Sequence, residues 1–343
     1  MSYFHLNFIL KGKLTVCCLL MLSVIPLNAQ REAKQIGDFK ESISLNEHLR
    51  GTKRTLQYRP DGDEFVCVNG KNRYTRALYG SHSPFRVETS DRPVFAFYNN
   101  GRGGNISFKV ILRDGTELAL DCTGHCESRY SAGKRTYYLT DPSWGKGELR
   151  ISVLALADMD GAIWRFSPSN MPKGAILRWQ HGGATGKRLS RNGDMGVDPA
   201  DCFELPVEAT DLVTGELPLQ KEVYLVRGEV PEDYNVRKLY QQAEAASLAL
   251  ASHLKIETPD PYLNTLGGAL VAAADGIWDG QVWLHGAIGW RMPLSGGRAG
   301  YTGDALGWHD RARTHFDAYA ASQVTDVPNT IPHPAQDSTM NLA

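Results

Sequence analysis

The chain has 343 residues, a formal net charge of -1, 42% hydrophobic residues and 22% charged residues. That composition excludes a disordered or collagen-like chain and supplies no basic excess for non-specific nucleic-acid binding. The length exceeds one typical small domain and predicts two, and 34 Gly with 17 Pro favour a turn-rich β protein over a helix bundle.

The first 29 residues have the pattern of a secretory signal peptide. Lys11 and Lys13 form a positive flank, Leu14 to Leu27 is apolar, and Asn28-Ala29-Gln30 offers a small residue for cleavage. The apolar run is short for a membrane span of ~20 residues and Pro26 interrupts it. The expectation is an exported, periplasmic or extracellular protein with no membrane span after cleavage. Cys17 and Cys18 would leave with the leader. Cys67, Cys122, Cys126 and Cys202 remain, with three possible disulfide pairings. Cys122-Thr-Gly-His-Cys126 has no second Cys/His pair nearby to complete a zinc site. It reads as a hairpin tip with either a local disulfide or two free thiols.

A polar linker at 30–50 leads into a region at 51–230 of short runs rich in β-branched and aromatic residues. These are Glu64–Val68, Val94–Tyr98, Ile106–Leu112, Thr136–Leu139, Leu149–Leu154, Ala162–Phe166 and Ala175–Trp179. Many alternate apolar with polar, as half-buried strands do. Turn signals separate them at Asn99-Asn-Gly101, Arg113-Asp-Gly115, Asp160-Gly161 and Asn192-Gly193. The region predicts an antiparallel β-sandwich.

From 231 to 343 the period changes. Val236, Leu239, Tyr240, Ala243, Ala246, Leu250 and Leu254 share one helical face. Asp260 and Pro261 are an N-cap and a first-turn proline for a second helix, with Tyr262, Leu266, Leu270, Ala273 and Ile277 as its stripe. A third helix is predicted from about Asp304 to Ser322, with Trp308, Ala312, Phe316 and Tyr319 facing inward. The tail from Val327 onward has no element of its own. Three helices make a poor core alone. They must pack on the sandwich or open a larger helical domain, and the second is the expectation.

The segment Asn264 to Gly307, with Trp308 directly after it, holds Trp278, Trp283 and Trp290 among many glycines, together with Asp275, Asp279, His285, Arg291, Tyr301 and Asp304. Aromatic faces stack on sugar rings, and carboxylates, arginine and histidine bond hydroxyls. The alternative is a glycine-rich loop whose indoles seal a core. Other motifs fail. His181-Gly-Gly-Ala-Thr-Gly-Lys-Arg188 lacks the first glycine and the Ser/Thr of a phosphate loop. No His-Glu-x-x-His or Gly-x-Ser-x-Gly occurs. No motif calls for a metal or cofactor. Asn105-Ile-Ser107 fits a glycosylation sequon to which no role is given.

The order of parts, and the run Trp290-Arg-Met-Pro-Leu-Ser-Gly-Gly-Arg-Ala-Gly-Tyr-Thr-Gly-Asp-Ala-Leu-Gly-Trp308, resemble secreted six-hairpin glycoside hydrolases, in which a β-sandwich precedes an (α/α)6 barrel. Gly300-Tyr-Thr-Gly-Asp-Ala305 is similar to a stretch of bacterial α-L-rhamnosidases. The resemblance covers roughly 20 residues closely. It implies Tyr301 as an aromatic platform and Asp304 as a hydroxyl-binding carboxylate. Departures accompany it. The rhamnosidase general acid falls at Gly297 here, and the chain has room for about three helices of the barrel. The expectation is therefore a mixed fold: a sandwich followed by an incomplete barrel, truncated within 231–343.

Glycoside hydrolysis uses two carboxyl groups, ~5–5.5 Å apart for retention or ~6.5–9.5 Å for inversion. Asp304 and Asp310 are the catalytic candidates, with Asp275 and Asp279 also nearby. His285, Trp290, Arg291, Tyr301 and Trp308 are the candidate substrate contacts. Asp304 could otherwise be a helix N-cap, and Asp310 a surface partner of Arg313. The function expected is an exported carbohydrate-active protein acting on plant or bacterial oligo- or polysaccharide, inactive alone. The alternatives are a non-catalytic carbohydrate-binding or scaffold module, or a polysaccharide lyase on the same barrel type using Tyr301 or His285. Oligomeric state is not specified by the sequence.

Overall fold

A computed structural model describes residues 57–71, 74–83, 85–99, 102–182, 212–231, 233–284, 291, 293–324 and 335–336, all within one unit, Gln57–Ala343. The leader and linker expectations and Cys202 lie outside the described residues. So do the Asn192-Gly193 turn and most of the phosphate-loop-like run.

Among the described residues, fourteen strands build two antiparallel sheets. In the first, β1 (Arg59–Asp61), β2 (Glu64–Val68), β8 (His125–Ser131), β9 (Lys134–Thr140), β10 (Glu148–Ala155), β11 (Gly161–Ser169) and β14 (Val223–Gly228) lie side by side in that order. In the second the order is β13 (Val213–Pro218), β12 (Ile176–Gly182), β6 (Arg102–Ile111), β5 (Phe95–Asn99), β4 (Arg86–Ser90) and β3 (Tyr74–Leu78), with β7 (Glu117–Ala119) paired to β6. All seven apolar runs of the sequence fall in strands. Arg113-Asp-Gly-Thr116 is the hairpin turn between β6 and β7. The Leu112 N–H donates to the Thr116 carbonyl at 2.9 Å, and Gly115 takes φ +85°, which favours glycine.

The period of two decides which side chains meet. Ala162, Trp164 and Phe166 point from β11 to the interior, where Phe95 and Phe108 come from the second sheet. Trp164 stands edge-on to Phe95 at 5.5 Å, and Phe108 is 5.1 Å from Phe166. One apolar core thus fills the space between the sheets. Asn105 is buried in β6 between Ala96 and Gly182, which leaves no room for a glycan at that sequon.

Cys67 and Cys126 are buried free thiols and Cys122 is an exposed one. Of the two readings of the Cys122–Cys126 segment, free thiols hold. Burial, the largest influence, pushes the Cys126 thiol up to about 12, so it stays an unreactive thiol.

Among the described residues four helices follow: α1 (Val236–Ala251), α2 (Pro261–Gly276), α3 (Pro293–Ala305) and α4 (His309–Ala321). Asn235 caps α1 by accepting from the Lys238 N–H at 3.0 Å. Asp260 caps α2 from Oδ1 to the Tyr262 N–H at 2.8 Å, with Pro261 as its first residue, as the sequence predicts. Helix α1 lays Leu239, Tyr240 and Ala243 on Leu154 and Ile163 of the first sheet. The Arg165 guanidinium lies over the Tyr240 ring at 4.3 Å. Helix α2 meets β1 and the β1–β2 turn, where the Thr265 hydroxyl donates to the Gly62 carbonyl at 2.9 Å. These helices rest on the sheet.

Two expectations are corrected. The buried face of α2 is Thr265, Gly267, Val271 and Ala272, while Tyr262 and Leu270 are exposed. Gly267 and Gly268 allow α2 to approach Leu254 and Ala251 beyond the reach of larger residues. The predicted single helix from Asp304 is two helices, α3 and α4, broken at Leu306–Trp308. The four helices do not amount to a closed (α/α)6 barrel. No helix among the described residues is long and apolar enough to cross a membrane. Tail residues Ala335–Gln336 pair with Gln323–Val324 as a two-stranded ribbon, β15 and β16.

Candidate functional site

Asp304 and Asp310 flank the α3–α4 turn. Asp304 sits in the last turn of α3 with its side chain 58% exposed, and its Oδ1 is 2.6 Å from Nδ1 of His309. It is not an N-cap, since residue 308 holds that position before α4. Asp310 is exposed in the first turn of α4, where the helix dipole favours a carboxylate. Among the described residues it makes no ion pair with Arg313. Tyr301 is 69% exposed, one turn before Asp304, and its ring is 5.6 Å from that of Phe316 on α4.

The remaining candidates are held by protein groups. Trp308 is half-buried. His253 stacks on it at 5.3 Å, Arg311 lies over it at 4.8 Å, and Trp283 is 6.4 Å away. Arg291 gives Nε and Nη2 to Oδ2 of Asp279 at 3.0 and 2.8 Å, and Nη1 to Gln281 at 2.9 Å. Asp279 also accepts from the backbone N–H groups of Gln281 and Val282, so this pair fixes a turn. His285 and Trp290 lie outside the described residues.

The indole-rich segment forms a small core of its own. Trp278, Trp283 and Ala312 are buried together, with Trp308, Ile277 and Ala299 against them. The Trp283 indole N–H donates to the Ala274 carbonyl at 2.9 Å, and its backbone N–H donates to Nδ1 of buried His315 at 3.0 Å. That last bond fixes Nδ1 as the acceptor and so sets the His315 tautomer. For Trp278 and Trp283 the core-sealing alternative holds.

A second group of chemistry-bearing residues lies where the sheets meet the helices. The β3–β4 connection brings Ser81, His82 and Ser83 there. The two serine Oγ atoms are 2.8 Å apart, and both lie within hydrogen-bond reach of Oδ1 of Asp160 in the β10–β11 turn, which accepts from them. His82 Nε2 is 3.2 Å from Oδ1 of Asp275, at the end of α2, and Arg311 Nη1 of α4 donates to the same oxygen at 2.7 Å. The Arg311 guanidinium also lies over the Trp278 ring at 5.8 Å. A cavity of about 250 Å³ opens beside this triad. Asp275 was among the sequence candidates. His82 and Arg311 belong to no local motif, and no signal in the sequence joins them to it. Among the described residues, no cluster of three or more His, Cys, Asp or Glu is placed to hold a metal.

The Asp275 side chain is 15% exposed. Burial works to raise its carboxyl, but the bonds from His82 and Arg311 outweigh burial and hold it below the ordinary aspartate range. A group whose folded value is depressed contributes stability above its unfolded value of ~3.9, and that contribution is lost as pH falls through the folded value. Asp275→Asn is therefore expected to destabilise the chain at pH 7 by about 1.5–3 kcal/mol, the worth of hydrogen bonds to a charged group. The gap to wild type closes below pH ~4. Urea unfolding of both proteins at pH 7 and in acid checks this. A gap that widens in acid contradicts it.

Residues 100–229 match the model of a domain of unknown function, DUF4450. The match covers under half of the chain and spans β6 to β14. Tyr301, Asp304, His82, Asp275 and Arg311 all lie outside it. No curated protein matches the chain.

Proposed function

We propose that this chain is an exported carbohydrate-active protein. On this reading the sheets carry the opening hairpins of a six-hairpin glycosidase-type barrel, and the chain binds saccharide without cleaving it alone. The observation that carries the reading is the exposed pair Tyr301 and Phe316 beside Asp304. Tyr301 and Asp304 are three residues apart on α3 and share a face. An aromatic ring 69% open to water next to a carboxylate and an imidazole 2.6 Å apart has the groups a sugar contact needs: an apolar plane and hydrogen-bonding groups at its edge. In a complete enzyme one carboxylic acid protonates the leaving oxygen while a second carboxylate activates water or attacks, with Asp304 and Asp310 as the candidates here.

A non-catalytic carbohydrate-binding module is the second reading. It is favoured by the way α1 and α2 rest on strands β10, β11 and β1. A glycan array with wild type, Tyr301→Ala and Asp304→Ala tests the common part. Binding of an oligosaccharide is expected, weakened at least tenfold, about 1.4 kcal/mol, by Tyr301→Ala. If no glycan binds, or binding survives both changes, the reading is wrong. Release of reducing ends by the purified chain would overturn the non-catalytic clause.

A further inference from the structure

We propose that the cavity beside His82, Asp275 and Arg311 is a second saccharide site, one that takes a single sugar ring through a vicinal diol. The ligand class rests on the carbohydrate reading above, while the site rests on its own geometry.

Small residues make up most of the wall, with Tyr79 and Leu250 as its large members. Ala77 and Ala155 come from the two sheets, Ala243 and Ala246 from α1, and Ala272 from α2. Ordinary packing would fill space between a sheet and two helices with leucine or valine, because an empty apolar void costs stability in proportion to its volume. Here about 250 Å³ stays open. That is below the roughly 300–1,000 Å³ of pockets for drug-sized ligands and suits one ring rather than a chain. Alanine methyl groups offer a shallow apolar lining for the C–H faces of such a ring.

The polar end is partly used and partly available. Both internal hydrogen bonds converge on Oδ1 of Asp275. Among the described residues Oδ2 accepts nothing, and the guanidinium N–H groups of Arg311 other than the one on Asp275 have no acceptor. His82 is held through Nε2, and among the described residues its Nδ1 makes no bond. The Trp308 and Trp278 rings, 4.8 and 5.8 Å from its Cζ, restrict the guanidinium before any ligand arrives. The site therefore presents an acceptor and several donors within one carboxylate–guanidinium pair. A hydroxyl pair on adjacent carbons matches this, since each hydroxyl donates and accepts. One donates to Oδ2 while both accept from Arg311, and Nδ1 of neutral His82, whose Nε2–H is given to Asp275, can only accept. The carboxylate and guanidinium charges cancel, so a simple anion faces Asp275 and a simple cation faces Arg311. A neutral polyol meets neither penalty.

Saturation-transfer difference NMR tests this on the purified 343-residue chain. The probes are methyl gluco-, galacto-, manno-, xylo- and rhamnopyranosides, with acetate and phosphate as anion controls. At least one glycoside is expected to bind in the millimolar range, and its deoxy analogue lacking one hydroxyl of the diol to bind at least tenfold more weakly. Ala246→Phe places a ring in the cavity from an exposed helix position and leaves the triad intact. It is expected to abolish the signal with an unchanged thermal transition. His82→Gln, which keeps a hydrogen-bonding group, is expected to weaken binding several-fold. Glycoside binding untouched by Ala246→Phe, or anions binding in place of glycosides, overturns the site. If oligosaccharide binding persists and is lost only in Tyr301→Ala, this cavity is refuted and the carbohydrate reading stands. If neither glycosides nor oligosaccharides bind, both fall.

Discussion

Truncation of Trp164 to alanine is expected to remove about 3–5 kcal/mol of stability, the range for emptying a large aromatic site in a core. Three features place it at the upper end. The indole is fully buried. It belongs to β11, an interior strand of the first sheet paired to β10 on one side and β14 on the other. Its neighbours Phe95 and Phe108, at 5.5 and 6.2 Å, belong to the opposite sheet. The cavity left would therefore open between two layers, each fixed by its own ladder and unable to collapse inward. Against a typical total of about 5–15 kcal/mol, this is a large fraction. Urea unfolding should show a lowered midpoint with an unchanged slope. Tyr138→Ala is the control. Tyr138 sits two strands away on the outer face of the same sheet, 39% exposed, with Arg150 and Arg129 over its ring at 5.3 and 5.9 Å. Its loss should cost under ~1 kcal/mol. Equal losses in the two variants would show that the sheets do not depend on the aromatic layer between them.

The same residue shows what the sequence makes legible. Ala162, Trp164 and Phe166 recur at every second residue of a run that also holds Ile163, buried on the other face under α1, and a short run so rich in apolar and aromatic residues is the direct signature of a core strand. Strand β4 carries no such signature. Its buried residues include Arg86, Thr89 and Ser90, a polar interior that pattern reading takes for loop. Strand β13 is mostly exposed and gives no periodic signal either. Asp260 and Pro261 announce α2 because capping is local chemistry within three residues. Helix α3 is the opposite case. Its sequence Pro-Leu-Ser-Gly-Gly-Arg-Ala-Gly-Tyr-Thr-Gly-Asp-Ala reads as loop by propensity, and packing against α4 and the indoles overrides that preference. The exposed Tyr301 and Asp304 were legible as a pair because they sit within one turn. The triad of His82, Asp275 and Arg311 was not, because 193 residues separate His82 from Asp275 and only the sheet-to-helix docking brings them together.

The glycines of α3 turn this override into a measurable contrast. In a helix interior, replacing glycine by alanine normally stabilises by roughly 0.5–1 kcal/mol, because glycine loses more backbone freedom on folding. Gly297 should follow that rule, since a methyl group there meets nothing within 4 Å. Gly303 should reverse it. A Cβ at that position would fall 2.1 Å from Cη2 of Trp283, far inside van der Waals contact. The indole cannot swing aside. It is 1% exposed, its N–H is bonded to the Ala274 carbonyl, and Trp278 stands 4.6 Å away. Overpacking of this kind costs about 1–3 kcal/mol or more, which exceeds the helix-propensity gain, so Gly303→Ala is expected to be net destabilising. The strain should also spread. The Trp308 N–H donates to the Gly303 carbonyl at 2.9 Å, and Trp308 supports Arg311, which in turn holds Asp275. Thermal unfolding should rise for Gly297→Ala and fall for Gly303→Ala, with the near-ultraviolet circular dichroism of the indole cluster changed only in the second. Shifts of the same sign in both variants would mean that α3 does not pack on Trp283 and that the support of the Asp275 triad lies elsewhere.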